Sequence, residues 1–323
     1  MTEEYAERLA SSGRLRRYSG IAEMIGDPAN PTPLVALNRV VPDGGAQLYV
    51  KLEWMNPFGS VKDRAAKWML ESMEARGELE GKGVVEATSG NTGIALAAMS
   101  ALLGHPMVAA VPSTMPAEKS VLIKSLGAAV VPTPESCPTD RHPMDVAIEI
   151  AEKIVTDSPA EFVMPNQYDN PDNVRAHYET TGPEVWAQTE GRIDYFIVGI
   201  GTCGTVTGAG RFLKEQNPNV RIVAVEPVRG HHISGLKNLD ETSIPGILDR
   251  SVIDATVYVD DEETRQVAKR LHAEEALFVG SSGAAVIAGA LRYLEGRTGV
   301  AVAIAPDSSQ KAISFLTAML DGE

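Results

Sequence analysis

The sequence predicts an α/β protein with parallel sheets. Short apolar segments alternate along the chain with segments whose apolar residues recur at helical spacing. Such alternation of strands and helices is typical of parallel sheets that are covered by helices on both faces. With 323 residues, of which 44% are hydrophobic, the chain can bury one large α/β domain or two of ordinary size.

The individual elements follow from this periodicity. Buried strands are predicted at residues 84–87, 107–112, 128–132, 195–200, 221–226 and 300–305. Helices are predicted between them, at residues 93–104, 117–127, 145–155, 206–216 and 262–276. Two segments break the pattern: 135–145 is loop-like, and 165–173, rich in Asn, Asp and Pro, is predicted to join two lobes.

The composition argues against several kinds of partner and compartment. A formal net charge of -14 and a pI of about 5.0 disfavour nucleic acid and acidic membrane surfaces. The two cysteines, Cys137 and Cys203, imply no disulfide framework and fit a reducing compartment. The N-terminus lacks the apolar region of a signal peptide, and no apolar run is long enough to span a membrane. We therefore expect a cytoplasmic protein, and we predict no metal site.

Lys62 lies where a solvated surface lysine is unexpected. Residues 56–59 (NPFG) break the chain, and Ser60 and Asp63 then have the S-x-x-D spacing of a helix N-cap box. This spacing places Lys62 in the first turn of a helix. Because that end of a helix carries partial positive charge, an ordinary lysine gains nothing there. The position of this amine requires another explanation.

Two further segments, 86–97 (EATSGNTGIALA) and 197–210 (IVGIGTCGTVTGAG), each consist of a strand, a Gly-containing polar turn and a helix. Backbone N–H groups at such helix starts bind anions. In the second segment, Gly199, Gly201 and Gly204 spell G-x-G-x-x-G, the dinucleotide fingerprint. Threonines interleave these glycines, however, and hydroxyl groups suit a terminal phosphate better than a pyrophosphate. A non-catalytic dinucleotide-binding module and a tight turn used only for packing remain alternatives at this point.

Taken together, five segments resemble the cysteine synthase and cystathionine β-synthase family, whose members are pyridoxal phosphate enzymes of fold type II. They are NPFGSVKDRAA, TSGNTG, PNQYDNPDN, GTCGTVTG and APDSSQKA, in the family's order. The similarity extends from about Pro33 to about Ala318 and is greatest to cysteine synthase B and O-phosphoserine-type cysteine synthases. It implies a homodimer and two parallel-sheet α/β lobes with the cofactor between them. The lobes would be residues 1–170 and 171–323. The segment before about residue 50 could pack on either lobe.

The resemblance also implies a role for each matched position. Lys62 would form the Schiff base with the cofactor aldehyde and then remove the substrate's Cα proton, which requires a lowered pKa. Asn91 would contact both the substrate carboxylate and the cofactor's ring oxygen. The other residues implied for the carboxylate are Thr88, Ser89, Thr92 and Gln167. Those implied for the cofactor phosphate are Gly201, Thr202, Cys203, Gly204 and Thr205, with Cys203 expected to pack rather than react.

Two further residues bear on the type of reaction. Ser308 matches the family's serine opposite the pyridine nitrogen, and a hydroxyl there leaves that nitrogen unprotonated. A weaker electron sink of this kind suits β-elimination and β-replacement. Asp307 is the competing candidate, expected to be structural. Lys237, in GLKNLDE, matches a basic residue of synthases that use O-phosphoserine, although a solvated loop lysine is an equal interpretation.

The predicted reaction is the replacement of the activated β-group of O-acetyl-L-serine or O-phospho-L-serine by a sulfur nucleophile, giving L-cysteine. A cystathionine β-synthase-like enzyme and a serine or threonine dehydratase-like enzyme are the alternatives within the same cofactor class. Small molecules are the expected partners. The sequence does not decide between the two leaving groups or among sulfide, thiosulfate and a protein thiocarboxylate as sulfur donor.

Overall fold

The computed structural model describes residues 16–42, 44–134 and 143–321. Its strands are β1 Leu34–Ala36, β2 Gln47–Leu52, β3 Gly83–Ala87, β4 Met107–Val111, β5 Ala129–Pro132, β6 Phe162–Val163, β7 Ile193–Gly199, β8 Arg221–Pro227, β9 Ala255–Val259 and β10 Val300–Ala305. Its α-helices are α1 Lys62–Ala75, α2 Asn91–Leu103, α3 Ala117–Ser125, α4 Pro143–Asp157, α5 Pro171–Ala176, α6 Gly182–Gln188, α7 Gly204–Gln216, α8 Asp261–Glu275, α9 Ser281–Tyr293 and α10 Ile313–Asp321. A π-helical turn, His177–Thr181, joins α5 to α6, and short 3-10 turns occupy Ile21–Met24, Glu53–Met55, Arg250–Val252 and Ser309–Lys311.

Within the described residues the strands form two sheets. One has six strands in the order β1-β2-β10-β7-β8-β9, parallel except for the β1–β2 pair. The other has four parallel strands in the order β5-β4-β3-β6. The predicted fold class, α/β with parallel-sheet lobes, is confirmed. The first two strands belong to the larger sheet, so that sheet takes strands from both ends of the chain.

The strands were recognisable because their sequences are apolar on both faces. Every residue of β3 is buried, and so is β10 apart from its first residue, as expected for parallel strands covered by helices on both sides. Helix α2 is buried from Thr92 to Ser100 and is apolar around its circumference, which marks it as a core helix rather than a surface one. No helix in the described ranges has the length and apolar character needed to cross a membrane.

All six predicted strands and all five predicted helices are present, with boundaries that differ by a few residues. The unpredicted strands are β1, β2, β6 and β9, which are short or contain polar and charged residues. The predicted loop at 135–145 falls partly outside the described residues, as does Cys137, and α4 begins at Pro143. Cys203 is a free, buried thiol.

The parallel topology determines where a ligand can bind. Loops that follow parallel strands lie at the carboxyl ends of those strands, where open α/β sheets bind their ligands. The loop after β3 opens α2, and the loop after β7 opens α7. These are the two anion-binding segments that the sequence analysis identified, one in each sheet.

Candidate active site

A cavity of about 410 Å³ lies at these carboxyl ends and is lined by residues from both sheets. Its walls include Lys62, the TSGNT segment after β3, the loop after β7 and residues 231–237. The volume is in the range of small-molecule sites. Almost all residues predicted for the site therefore share one cavity: Lys62, Thr88, Ser89, Asn91, Thr92, Gln167, Gly201, Thr202, Cys203, Thr205 and Lys237 all line it.

Lys62 is the first residue of α1, and its side chain lies in the cavity wall. The Ser60 hydroxyl accepts a hydrogen bond from the Lys62 N–H at 3.2 Å. The Asp63 carboxylate accepts from the Phe58 N–H at 2.7 Å, two residues before Ser60, and the N-cap of α1 is Val61, without a side-chain cap bond. The predicted N-cap box of Ser60 and Asp63 is therefore wrong in its pairing, although both side chains bond the backbone at the start of the helix. The Lys62 ammonium donates to the Thr202 hydroxyl at 3.1 Å. Burial lowers the pKa of Lys62 to about 8, which brings the neutral amine within reach near physiological pH.

Arg64, two residues further along α1, belongs to a fully buried ion cluster rather than to the cavity. It is bonded to Glu53 at 2.7 Å and to Glu184 in a short contact. Lys51 is 2.7 Å from Glu184, and all four side chains are 0% exposed. The cluster is neutral and joins α1 to β2, the 3-10 turn after it, and α6. It holds the helix that carries Lys62 against the larger sheet.

The loop between β3 and α2 is stabilised by hydrogen bonds from its own backbone to one of its side chains. The Thr88 hydroxyl accepts from the Gly90 N–H at 3.1 Å and from the Gly93 N–H at 2.9 Å. Gly90 has φ of 149°, a conformation that L side chains rarely adopt. The hydroxyl of Thr88 is thus occupied by backbone. Its own O–H is still available to donate, and the residue lines the cavity, so the predicted contact with a carboxylate stays a prediction.

Thr92 and Gln167 come together although they are far apart in sequence. The Thr92 hydroxyl donates to the Gln167 amide oxygen at 2.6 Å, and the Gln167 amide nitrogen donates to the Ala87 carbonyl at 2.8 Å. Nearby, the Asn91 amide nitrogen donates to the Asp307 carboxylate at 2.7 Å. These contacts fix hydroxyl and amide groups around one side of the cavity, as binding a small carboxylate requires.

The loop after β7 has the geometry of a phosphate site. It leads directly into α7 at Gly204, and no side chain caps the start of that helix, so the N–H groups of its first turn are available to an anion. A Cβ on Gly204 would lie 2.1 Å from the Asn173 side-chain oxygen, and one on Gly201 would lie 2.8 Å from a backbone carbonyl. Cys203 adopts φ of +71°, which favours Gly and explains why glycine is common at this position of the resembled family.

Two residues that the sequence analysis missed stand behind this loop. The Asn173 amide nitrogen donates to the Thr202 hydroxyl at 3.3 Å, and the imidazole Nε2 of His177 lies 3.2 Å from the Thr205 hydroxyl. Burial lowers the pKa of His177 to about 3, so this imidazole is neutral. Both lie on one helical face, four residues apart. That i, i+4 spacing of Asn and His in PNQYDNPDNVRAH is the sequence signal that could have identified them.

The donor set fits pyridoxal phosphate. Thr202 and Thr205 line the cavity and supply hydroxyls beside the N-terminus of α7. At Gly201 and Gly204 neighbouring atoms leave no room for a Cβ. The lysine amine lies 3.1 Å from one of these hydroxyls, as a cofactor held both at its phosphate and at its aldehyde requires. The structure gives less support to a dinucleotide-binding site. Glu226, which would hold the ribose, instead accepts from the Leu239 N–H at 3.0 Å.

Ser308 is not brought to the cavity. Its hydroxyl donates to the Phe278 carbonyl at 2.8 Å and accepts from the Gln310 N–H at 3.2 Å, and the residue does not line the cavity. Ser282, near the start of α9, does line it. Val279, three residues before Ser282, and Ser308 form an antiparallel β-bridge, so the two serine segments lie side by side. Sequence order alone could not show which of two neighbouring serine segments presents its hydroxyl to the cavity.

Lys237 and Lys119 are two further cations in the cavity wall. The Lys237 ammonium lies 4.3 Å from the centre of the Tyr168 ring, a cation–π arrangement. Burial lowers the pKa of Lys237, and the nearby Asp145 opposes this effect. Lys119 lies in the first turn of α3, after Pro116. The same sequence signal that singled out Lys62, a lysine in the first turn of a helix, could have identified Lys119.

Comparison with known proteins shows the family to which the chain belongs. Residues 25–307 match the family model described as pyridoxal-phosphate dependent enzyme. Cysteine synthase B of Salmonella typhimurium is 40% identical over 285 residues, covering 88% of this chain and 92% of that protein. Cysteine synthase of Aquifex aeolicus is 39% identical, covering 88% of each.

Solved structures give the same result. A mutant O-ureido-L-serine synthase bound to O-ureido-L-serine superposes with a TM-score of 0.85 at 38% identity, covering 95% of each chain. Cysteine synthase from Entamoeba histolytica has a TM-score of 0.85 at 33% identity, covering 95% of this chain and 92% of that one.

A lysine amine beside a phosphate-binding helix start, in a cavity between two parallel sheets, defines the class: an enzyme that works with pyridoxal phosphate. The chain belongs to the pyridoxal-phosphate dependent enzyme family, and within it to the cysteine synthase group. The family predicted from the sequence, its cofactor and its kind of enzyme are confirmed.

Proposed function

We propose that this protein is a cysteine synthase, which replaces the activated β-group of a serine derivative by sulfur to give L-cysteine. The observation that carries the proposal is the contact between Lys62 Nζ and Thr202 Oγ1 at 3.1 Å, in a cavity that the TSGNT segment also lines. One cavity thus combines an amine of lowered pKa, a phosphate site and a set of neutral donors suited to a carboxylate. Curated cysteine synthases at about 40% identity support the same reaction type.

The cofactor would be held at both ends by this chain. Thr202, Thr205 and the N–H groups at the start of α7 would bind its phosphate, Asn91 would bind its ring oxygen and Lys62 Nζ its aldehyde carbon. When bound, pyridoxal phosphate supplies an electron sink that weakens the bonds at the substrate's Cα. Ser282 is better placed than Ser308 to face the ring nitrogen, because its residue lines the cavity. A neutral hydroxyl there would keep the sink weak, which suits replacement at Cβ.

The proton chemistry would fall to Lys62. With the substrate bound, its Nζ would take the proton from Cα and later return it to Cα. Burial lowers the pKa of Lys62 to about 8, close to the working pH of a general base. Thr92 and Gln167, with Ser89 and Asn91, would hold the substrate carboxylate so that the Cα–H bond faces that amine.

The test of this proposal uses Lys62→Ala beside a matched control, Lys67→Ala, which removes a half-exposed lysine from the same helix. The purified wild type should absorb as a pyridoxal phosphate protein and, after borohydride, carry the cofactor on Lys62. It should form cysteine from O-acetylserine or O-phosphoserine with a sulfur donor. Lys62→Ala should lose turnover by at least about 10³-fold, while Lys67→Ala keeps it. Release of pyruvate instead of cysteine would indicate a dehydratase, and full activity of Lys62→Ala would overturn the proposal.

We further propose that the protein is a cytoplasmic homodimer with the two lobes divided near residue 170. The resemblance to fold type II enzymes supports the dimer. Exposed apolar side chains such as Met55, Ile244 and Ile313, which are 54%, 55% and 58% exposed, are available to an interface. Light scattering coupled to size-exclusion chromatography would measure the mass, and that of a monomer would contradict the proposal.

A further inference from the structure

The Asn91 side chain is held by a carboxylate that belongs to the other sheet. Its amide nitrogen donates to the Asp307 carboxylate at 2.7 Å. Asn91 is the first residue of α2 and lines the cavity, whereas Asp307 follows β10 and does not itself line it. The bond therefore joins the substrate loop of the smaller sheet to the carboxyl end of a strand in the larger sheet.

The backbone of Asp307 is fixed from two sides. Ser60, in the loop that leads to Lys62, forms an antiparallel β-bridge with Asp307. The Gly280 N–H donates to the Asp307 carbonyl at 3.0 Å, and a Cβ on Gly280 would lie 2.1 Å from Asp307 Oδ1. Close packing against the bare backbone of Gly280 therefore sets the position of the carboxylate, beside the segment that carries Lys62.

An ion pair does not account for this carboxylate. Among the described residues, the hydrogen-bond partner of its side chain is the Asn91 amide, and its buried Oδ1 has none. Lys311, four residues further along the chain, donates instead to the Phe58 carbonyl at 2.6 Å. A buried carboxylate oxygen without a partner is costly. The position of Asp307 is therefore best explained by its effect on Asn91.

A carboxylate determines the orientation of an amide that it contacts. An ionised carboxylate only accepts hydrogen bonds, so it attracts the amide nitrogen and repels the amide oxygen. Asn91 must therefore keep its NH2 group toward Asp307, whereas without the carboxylate the amide could turn over and present its oxygen instead. In the described ranges Asp307 is the only hydrogen-bond partner of this side chain, so one N–H remains for a ligand in the cavity.

We infer that Asp307 is a positioning residue, which orients the Asn91 amide so that its remaining N–H donates to the ring oxygen of pyridoxal phosphate. The inference rests on the proposed function, in which Asn91 binds that oxygen. Because Asp307 takes one N–H, the side chain has a single N–H left for the ring oxygen. The substrate carboxylate would then be bound by the backbone N–H of Asn91 at the start of α2, which no side chain caps.

The absorbance of the bound cofactor reports on this bond, because the yellow form has a deprotonated ring oxygen and the near-ultraviolet form has a protonated one. A hydrogen bond from Asn91 favours the deprotonated oxygen. Asp307→Ala should therefore lower the ratio of the yellow to the near-ultraviolet form about tenfold. Asp307→Asn, which keeps the shape and offers a weaker, neutral acceptor, should lower it about threefold. The control is Asp194→Ala, which removes an exposed carboxylate bonded to the Val300 N–H at the opposite end of β10 and should leave the ratio unchanged.

A double-mutant cycle separates positioning of Asn91 from support of the fold. Asn91→Ala should lower the same ratio about tenfold or more, and adding Asp307→Ala should change it no further, since no amide remains to be oriented. Urea unfolding measures any loss of stability separately. An effect of Asp307→Ala that is equally large with and without Asn91, or an unchanged ratio in Asp307→Asn, would overturn the inference and leave the proposed function intact, provided that the wild type makes cysteine. A wild type that binds no cofactor would refute the proposed function and this inference with it.

Discussion

At the scale of single residues, the reactivity of Lys62 depends on how its amine is buried. The residue lines the same cavity as the loops after β3 and β7, and its amine donates to a hydroxyl, Thr202 Oγ1, at 3.1 Å. Burial lowers its pKa to about 8. A charged amine cannot attack an aldehyde, so this shift decides how much of the protein can take up cofactor at a given pH.

The first prediction follows from the sign of that shift. Because the lowered pKa favours the neutral amine above about pH 8, the rate at which cofactor-free protein binds pyridoxal phosphate covalently should rise about tenfold per pH unit below this value and level off above it. Stopped-flow absorbance of the cofactor between pH 6 and 9.5 measures this rate. An inflection near pH 10, the value of an ordinary lysine, would contradict the assigned environment.

The second prediction concerns the two candidate serines. Ser282 lines the cavity, whereas the Ser308 hydroxyl is bonded to the Phe278 carbonyl at 2.8 Å. If Ser282 faces the ring nitrogen, Ser282→Asp should protonate that nitrogen, lower β-replacement by about tenfold or more and increase abortive transamination. The absorbance spectrum of the bound cofactor and the yield of pyridoxamine phosphate report this change directly. If Ser308→Asp produces that spectral change and Ser282→Asp does not, the original sequence assignment of Ser308 is the right one.

At the scale of elements, the phosphate loop depends on the helical segment behind it. Asn173 in α5 and His177 in the π-helical turn contact Thr202 and Thr205, respectively. Close packing makes this arrangement rigid, because a Cβ on Gly208 of α7 would lie 2.2 Å from the Val174 carbonyl. The π-helical turn is thus part of the scaffold that sets the two threonine hydroxyls.

The third prediction tests this scaffold through His177. Replacing it by Ala should weaken the binding of pyridoxal phosphate about tenfold, since one hydroxyl loses its orienting partner. Because burial lowers the pKa of His177 to about 3, the imidazole is neutral throughout and the loss should be the same at pH 6 and pH 8. Equilibrium titration of the cofactor-free variant measures it. A loss confined to low pH would mean that a charged imidazole acts on the phosphate directly.

The fourth prediction concerns the buried ion cluster that holds α1. Arg64 is 0% exposed and is bonded to Glu53 and Glu184. Arg64→Met should destabilise the fold by about 3–5 kcal/mol, because it leaves the buried carboxylates with Lys51 as their remaining cation. Urea unfolding measures this loss, and Arg76→Met, at a half-exposed arginine, is the comparison. Equal stability of the two variants would show that the cluster does not hold the helix.

The sequence predicted those elements whose structure depends on their own residues. The strands β3, β4, β7, β8 and β10 are mainly apolar, and the loops that carry Lys62, Thr202 and the TSGNT segment contain Gly and hydroxyl residues in a specific order. What it could not provide depends on contacts between distant segments. The pairing of β2 with β10 is of this kind, as are the contact of Thr92 with Gln167 and the approach of Lys119 to Ser234. Periodicity reports on one element at a time, so such contacts have no local signal.

At the scale of the whole molecule, burial of ionisable groups makes stability depend on pH. The carboxyl group of Glu86 in β3 is 0% exposed, and in the described part of the chain neither of its oxygens completes a hydrogen bond. Burial raises the pKa of Glu86 to about 8, although backbone N–H groups of Gln167, Asn166 and Ala87 oppose the shift. This carboxyl group is therefore mostly protonated at neutral pH, close beneath the substrate loop.

The fifth prediction follows from linkage between protonation and folding. An acid whose pKa is higher in the folded protein than in the unfolded chain, about 8 against about 4.5, keeps its proton on folding while the unfolded chain releases it. The free energy of unfolding should therefore fall as the pH rises from about 4.5 to 8, and Glu86→Gln should remove this loss. At pH 4 the variant and the wild type should be equally stable, and at pH 8 the variant should be more stable by roughly 2–4 kcal/mol. Urea unfolding at saturating cofactor across this range measures the difference, with the exposed Glu80→Gln as the control.

His177 also makes stability depend on pH, with the opposite sign below pH 6.5, because its pKa is lowered to about 3 in the folded protein. That contribution is the same in the variant and the wild type, so it cancels in their difference. A difference that does not change with pH would show that Glu86 is ionised in the folded protein, and a variant that is less stable at pH 8 would show that its charge is needed.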